Sequence, residues 1–278
     1  MSAVTTAGGN RSDSVAEFEN QWNAWHAERE AWAREPLGWL SLTGLHWLGE
    51  QEETIAGLPG RWRVDGENVV VTAESADGLV LNGEPVAGRA ELTPGEGAPG
   101  LTVRVGERSI EVIRRTGQFA LRIHDPAAPT LADFREIPVY QPDSRWVVTG
   151  IFEPYDAART VTTGAVVAGL EHHHPAAGTV IFRLGGSEHR LIAFGGAETG
   201  LRLLFTDGTS GVTTYAGART LQLGVPAADG GVVLDFNRAQ NLPCAFTDYA
   251  TCPVAPAENR LTVAIEAGEK NPRPEGAR

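Results

Sequence analysis

The stretch Leu101-Thr-Val-Arg-Val-Gly-Glu-Arg-Ser-Ile-Glu-Val-Ile-Arg-Arg-Thr-Gly-Gln-Phe-Ala-Leu-Arg-Ile123 decides the fold class. Short alternating runs, Leu101–Val105, Ser109–Arg115 and Phe119–Ile123, have the period of half-buried β-strands and are parted by turns. Working outward, runs of this kind recur at Trp39–Leu48, Arg61–Val64, Val69–Thr72 and Gly78–Leu81. A second series runs through Trp146–Phe152, Thr160–Val167, Thr179–Leu184, His189–Phe194, Leu201–Thr206 and Leu221–Gly224, with a last strand expected at Leu261–Ile265. Asp65-Gly66, Asp77-Gly78 and Asn82-Gly83 are turn dipeptides, and Gly185-Gly186 closes a hairpin. Nothing after Trp39 has the length of a crossover helix, so parallel βαβ units are excluded.

One helix precedes the strands, from about Ser14 to Ala33. Ser14 and Glu17 make a capping box, and Val15, Phe18, Trp22, Trp25 and Trp32 form one apolar seam, with Arg29 its only break. The seam must bury, either on the chain's own sheet or as a homodimer contact. Pro36 and Gly38 end the helix, and residues 1–12 and 271–278 read as frayed tails. The expected organisation is therefore all-β with one helix. Residues 1–38 hold tail and amphipathic helix, 39–124 a β-sandwich, and 145–270 a β-barrel or second sandwich carrying a long polar loop at 235–260. The irregular segment His124 to Ser144 marks the boundary between the two β units.

A chain of 278 residues with 42% hydrophobic and 21% charged residues is ordinary for a soluble globular protein, and 33 glycines with 17 prolines suit a turn-rich β fold. The formal charge of −12, with no Lys/Arg run to offset it, argues against nucleic acid or an anionic membrane as partner. The start lacks the basic and apolar regions of a signal peptide, and no apolar run is long enough to span a bilayer. With only two cysteines, a cytoplasmic protein with reduced thiols is the simplest expectation.

The apolar run Gly231 to Leu234 leads into about two dozen residues with little periodicity, and a loop of that length in a compact domain is usually functional. The expected small-molecule site in the C-terminal β unit comprises Asp207, Tyr215, Arg219, Asp235, Asn237, Asn241, Cys244, Tyr249 and Glu269. Asp235 acts there as a base or acceptor beside Asn237, Asn241 and Arg219, with Glu269 and Lys270 completing the cluster or forming a surface ion pair. Arg219, Asp235 and Asn237 are expected close together, the Arg offsetting the charge of Asp235. In the alternative, Asp and Asn side chains only cap the loop's own N–H groups, and the protein is a non-catalytic interaction module. Cys244 and Cys252, eight residues apart, read as a catalytic thiol, a facultative disulfide or buried thiols packing the loop. His172, His173 and His174 read as a solvated loop or a metal site with His189, and without ligand spacing no metal is expected. Phosphate-loop, dinucleotide-binding and nucleophile-elbow motifs are missing, so neither reaction nor cofactor is named.

Several blocks resemble an uncharacterised bacterial family, domain of unknown function 1684. They are Trp39-Leu-Ser-Leu-Thr-Gly-Leu-His-Trp-Leu48, Asp207-Gly-Thr-Ser-Gly211 with Thr214-Tyr-Ala-Gly-Ala-Arg219, Asp235 through Pro253, Glu258-Asn-Arg-Leu261 and Ala267-Gly-Glu-Lys270. The resemblance covers nearly all of the chain after Ala33 and implies no activity. It implies a first half similar to the forkhead-associated β-sandwich, echoed in Leu48–Ile55 and Gly78–Gly83. The Arg and Ser/His loop residues with which such sandwiches grip phosphothreonine are missing.

Overall fold

The computed structural model describes residues 9–273. Helix α1 spans Gly9–Ala33, so Ser14 lies inside the helix and the expected cap at Ser14 is not its start. Residues 1–8 and 274–278 of the expected tails lie outside the described residues. Among the described residues no helix is long and apolar enough to cross a membrane.

Nine strands follow: β1 (Leu42–Trp47), β2 (Arg61–Asp65), β3 (Asn68–Ala73), β4 (Leu79–Leu81), β5 (Glu84–Pro85), β6 (Gly88–Leu92), β7 (Leu101–Val105), β8 (Arg108–Arg115) and β9 (Gln118–His124). They form a six-stranded sheet in the order β1-β9-β8-β7-β4-β5 and a three-stranded sheet β2-β3-β6. Trp62, Val69 and Val71 of the smaller sheet meet Val103, Ile110, Val112 and Leu121 of the larger in one core, which makes this half a β-sandwich. Asn82 and Gly83, both at positive φ, turn β4 into β5 as the dipeptide predicts.

After a segment holding the single-turn helix α2 (Pro129–Ala132) come β10 (Val147–Gly164), β11 (Glu171–Leu184), β12 (Ser187–Gly196), β13 (Gly200–Phe205), β14 (Arg219–Leu223), β15 (Gly231–Asp235) and β16 (Gln240–Asn241). Their antiparallel sheet has the order β15-β10-β11-β12-β13-β14-β16. The sheet curls until β14 approaches β15, and Phe152, Val180, Leu191, Leu203, Phe205 and Leu234 converge on a common core. Each such side chain contributes roughly 1.5–3 kcal/mol by leaving water.

Four expectations about elements need correction. Trp146–Phe152 and Thr160–Val167 belong largely to one strand, β10, whose pairing with β11 shifts between Pro154 and Arg159 instead of breaking. His172, His173 and His174 lie within β11, paired with Thr163, Thr162 and Val161, and not in a solvated loop. His189 pairs with Phe182, far along β11 from His172, so it does not approach the triplet. Leu261–Ile265 is not a strand. It is an irregular strap tied to the 206–208 loop by Leu261 N–H to Thr206 O (2.8 Å) and Gly208 N–H to Val263 O (2.9 Å), and Leu261 and Ile265 fill the core.

Helix α1 docks on the C-terminal loops rather than on a sheet. Trp22 donates its indole N–H to Asn237 O (3.0 Å), Trp32 meets Phe246 edge-on, and the Ile137 N–H donates to Glu30 Oε1 (3.1 Å). Ala33, Leu40, Ile137, Tyr215, Cys244, Phe246 and Cys252 thereby share a third core. Trp22 and Trp32 are covered within the chain, so a homodimer through this helix would rest on Val15, Phe18 and Trp25.

Candidate functional site

The nine candidate residues separate into three braces, two of them buried and one partly exposed, and one cleft. In the first brace Arg219, fully buried on β14, sends Nη2 to Asp207 Oδ2 (2.7 Å) and Ile265 O (3.1 Å), and Nη1 to the carbonyl of Ala267. Asp207 Oδ1 accepts from the Thr209 N–H (2.8 Å), the Thr209 hydroxyl (2.6 Å) and the Ile265 N–H (3.2 Å). A desolvated pair this well bonded fixes the strap against the sheet and leaves no acceptor free for a ligand.

The second brace is Glu269, also fully buried. Its Oε1 accepts from Arg29 Nε of the helix (2.7 Å), and its Oε2 from the Asn241 N–H (2.7 Å). Glu269 is thus no surface partner of Lys270, whose Nζ lies 4.5 Å over the Tyr140 ring. The backbone reaches this position through Gly268 at φ +76, where a Cβ would stand 2.4 Å from Ala239 O, so only glycine fits. Asn241 donates Nδ2 to Lys270 O (2.8 Å).

In the third brace the Asp235 carboxylate accepts from the Asn237 N–H (3.1 Å) and Nδ2 (2.8 Å) and pairs with Arg238 Nε (3.2 Å). Asn237 Oδ1 accepts from the Asp143 N–H (2.9 Å), and its Nδ2 donates to Asp143 O (3.0 Å). The expected pairing of Arg219 with Asp235 is not made. Each has a nearer partner, Asp207 for the Arg and Arg238 for the Asp. These six residues, Asp207, Arg219, Asp235, Asn237, Asn241 and Glu269, are hydrogen-bonded into the scaffold.

Tyr215 and Cys244 are placed differently. They line a cleft of about 420 Å³ with Val166, Val167, Ala216, Gly217, Thr247, Asp248, Ala250 and Arg273. Tyr215 sits close over Gly217, where a Cβ would stand 2.6 Å from the ring. Cys244 lies in a 3-10 turn, Pro243–Ala245, and its N–H donates to Cys252 Sγ (3.3 Å). Tyr249 stands beside the cleft, its N–H donating to Thr247 Oγ1 (3.2 Å).

The thiols are unequal. A hydrogen bond from Cys252 lowers the Cys244 pKa, burial opposes this, and a hydrogen bond from Tyr215 and the charge of Arg273 lower it further. That same hydrogen bond and burial raise Cys252, and burial with the nearby Cys244 raises Tyr215. One proton is therefore held on Cys252 while Cys244, the thiol on the cleft, ionises first. Arg219 and Arg238 take no part.

Two residues here escape sequence reading. Arg273 falls in a stretch that reads as frayed, yet its Nε donates to Ala245 O (2.9 Å), Nη2 to Cys244 O (3.0 Å) and Nη1 to Asp248 Oδ1 (2.7 Å). Arg29 reads only as a break in the apolar seam. The signal for Arg29 was that break itself, since a cation on a buried stripe needs a buried anion. Arg273 has no comparable signal.

His172 and His174 are half-buried and packed, whereas His173 between them is exposed. His172 Nε2 lies 2.6 Å from Thr251 O, and the His172 and His174 rings stack at 5.8 Å. Burial, then the neighbouring His172, Arg202 and His173, lowers His174 to about 4. Among the described residues no third ligating side chain joins them in a metal-holding group.

A solution NMR structure of an uncharacterized protein of Haloarcula marismortui is similar to this chain, with 28% identity over 50% of this chain and 78% of that one. Its TM-score of 0.42 is too low for the likeness to carry an argument about the fold. No curated protein matches. The model of the family described as "Protein of unknown function (DUF1684)" matches residues 132–270, half of the chain and the part that holds all nine candidate residues. The chain belongs to that family, DUF1684.

Proposed function

We propose that the protein binds a small molecule in the cleft bounded by Tyr215, Cys244, Thr247 and Arg273, on the unit formed by residues 145–270. The observation that carries this reading is the cleft of about 420 Å³ with Tyr215, Cys244 and Thr247 on its wall. Val166, Val167, Ala216 and Ala250 suit an apolar body, and the hydroxyls and thiol suit a hydrogen-bonding head. The Arg273 guanidinium is already engaged by Asp248 and two carbonyls, so the cleft is not built for a strongly anionic ligand. A cytoplasmic setting, in which both thiols stay reduced, goes with this reading.

The second reading, a non-catalytic interaction module, draws on the many hydrogen bonds by which the three braces hold the strap and the polar loop in place. It also covers the residues 39–124 sandwich, for which a forkhead-associated-like role would have to do without the phosphate-gripping residues of such sandwiches.

The test is a thermal-shift screen with a metabolite collection on the parent and on Ala216→Trp. Ala216 is exposed at the cleft, so the indole fills the space without disturbing a core. At least one compound should stabilise the parent, by about 2.7 kcal/mol at a hundred times its Kd. Ala216→Trp should melt within a few degrees of the parent and lose that shift. No stabilising compound, or a shift retained in Ala216→Trp, would refute the cleft as the site.

A further inference from the structure

We propose that Cys244 and Cys252 are a redox-active dithiol that reduces organic hydroperoxides, with Cys244 attacking and Cys252 resolving. This rests on the reading of the cleft as a small-molecule site and names its substrate class. The two cysteines, separated by the Ala245–Thr251 loop, are brought together, with the Cys244 N–H donating to Cys252 Sγ at 3.3 Å. Cys244 lines the cleft, whereas Cys252 is outside its lining and shares the same core. That placement assigns the roles, since the attacking sulfur must meet substrate and the resolving sulfur must only reach its neighbour.

The surroundings fit the chemistry. Thiolate nucleophilicity needs donors or cations nearby, and Cys244 has the Tyr215 hydroxyl, the Cys252 thiol and Arg273. Arg273 holds the carbonyls of Cys244 and Ala245, fixing the turn that presents the sulfur. An organic hydroperoxide is small and neutral with an apolar body and a hydrogen-bonding head, matching the Val166, Val167 and Ala250 walls.

In the first step the Cys244 thiolate attacks the terminal oxygen of the hydroperoxide. The S–O bond forms and the O–O bond breaks, leaving Cys244 as a sulfenic acid, oxidised by two electrons. The departing alkoxide takes up a proton and leaves as the alcohol. In the second step Cys252 loses its proton and attacks the Cys244 sulfur. The S–S bond forms, the S–O bond breaks, and the departing hydroxide takes that proton to become water. Two equivalents of a small-molecule thiol then return the pair to dithiol by exchange and are themselves oxidised to a disulfide.

The test is intact-mass analysis of the reduced full-length protein treated with one equivalent of cumene hydroperoxide. The parent should lose the mass of two hydrogens and both thiols should become inert to maleimide. Cys252→Ser should stop at the gain of one oxygen, trapped by dimedone on Cys244. Cys244→Ser should react at least about tenfold more slowly, its remaining thiol being largely protonated. A parent that keeps two free thiols under both cumene hydroperoxide and the thiol oxidant diamide would overturn the dithiol. Disulfide formation with diamide alone would overturn the hydroperoxide role. A ligand-induced thermal shift without oxidation would leave the cleft standing and refute this inference. Oxidation at an unchanged rate in Ala216→Trp would support the dithiol and refute the cleft as its access route.

Discussion

Arg29 of the helix and Glu269 near the end of the chain form an ion pair, Nε to Oε1 at 2.7 Å, in which the carboxylate is fully buried and the guanidinium nearly so. The pair joins segments 240 residues apart. Because Glu269 also receives the Asn241 N–H, the helix is bonded to the polar loop as well as packed on it.

Removing one member of that pair strands a buried charge. Arg29→Met is expected to cost about 3 kcal/mol, a loss of roughly 6–12 °C in Tm. Adding Glu269→Gln in the same chain should recover part of it, since the amide keeps the Asn241 contact and carries no charge. A Tm in Arg29→Met equal to that of the parent would contradict the burial of the pair.

Brace and surface differ in cost. Asp207→Ala leaves Arg219 uncompensated in a fully buried position and is expected to cost 3–5 kcal/mol or to abolish folding, on the order seen when a buried pair is broken. Asp235→Asn keeps the cap on Asn237 and loses only the partly exposed Arg238 pair, so about 1 kcal/mol is expected. Urea titrations of the two variants measure the contrast, and equal losses would contradict it.

Acid weakens the fold in two stages. The His174 pKa is lowered from 6.5 to about 4, so between those values the unfolded chain binds more protons and stability rises with pH. With its partial exposure allowed for, that term is ~1 kcal/mol, present above pH 6.5 and lost as pH falls towards 4. Glu111 falls from 4.5 to about 2, because a His124 hydrogen bond and the Arg122 charge outweigh its burial. Its contribution is complete above pH 4.5 and is lost as pH falls through 2. His174→Phe, which keeps the packing on Phe194, should flatten the denaturation midpoint between pH 4 and 6.5; an unchanged slope would contradict the assignment.

The strand pattern was legible wherever one face is buried and the other wet, as at Leu101–Val105, which is a strand at those very bounds. Periodicity failed where the cause of structure was not local. Leu261–Ile265 alternates like a strand but forms a strap, because its partners are loop atoms near Thr206. Of the nine candidate residues, sequence did not separate those on a cleft from those that brace the fold. Tyr215 and Cys244 line the cleft, but Asp207, Arg219 and Glu269 are chemistry-bearing residues that serve as braces. Sequence shows that such residues exist, whereas only tertiary pairing shows that each charge is already spent on another.

The most direct test of the cleft is the order and pH dependence of alkylation at the two thiols. Folded protein is treated briefly with iodoacetamide across a pH series, and the labelled peptides are quantified by mass spectrometry. Cys244 should label first, with a midpoint below that of an ordinary thiol, and Ala216→Trp should slow it while Cys252 stays protected. Labelling of Cys252 first, or protection of both thiols until the protein unfolds, would contradict the account.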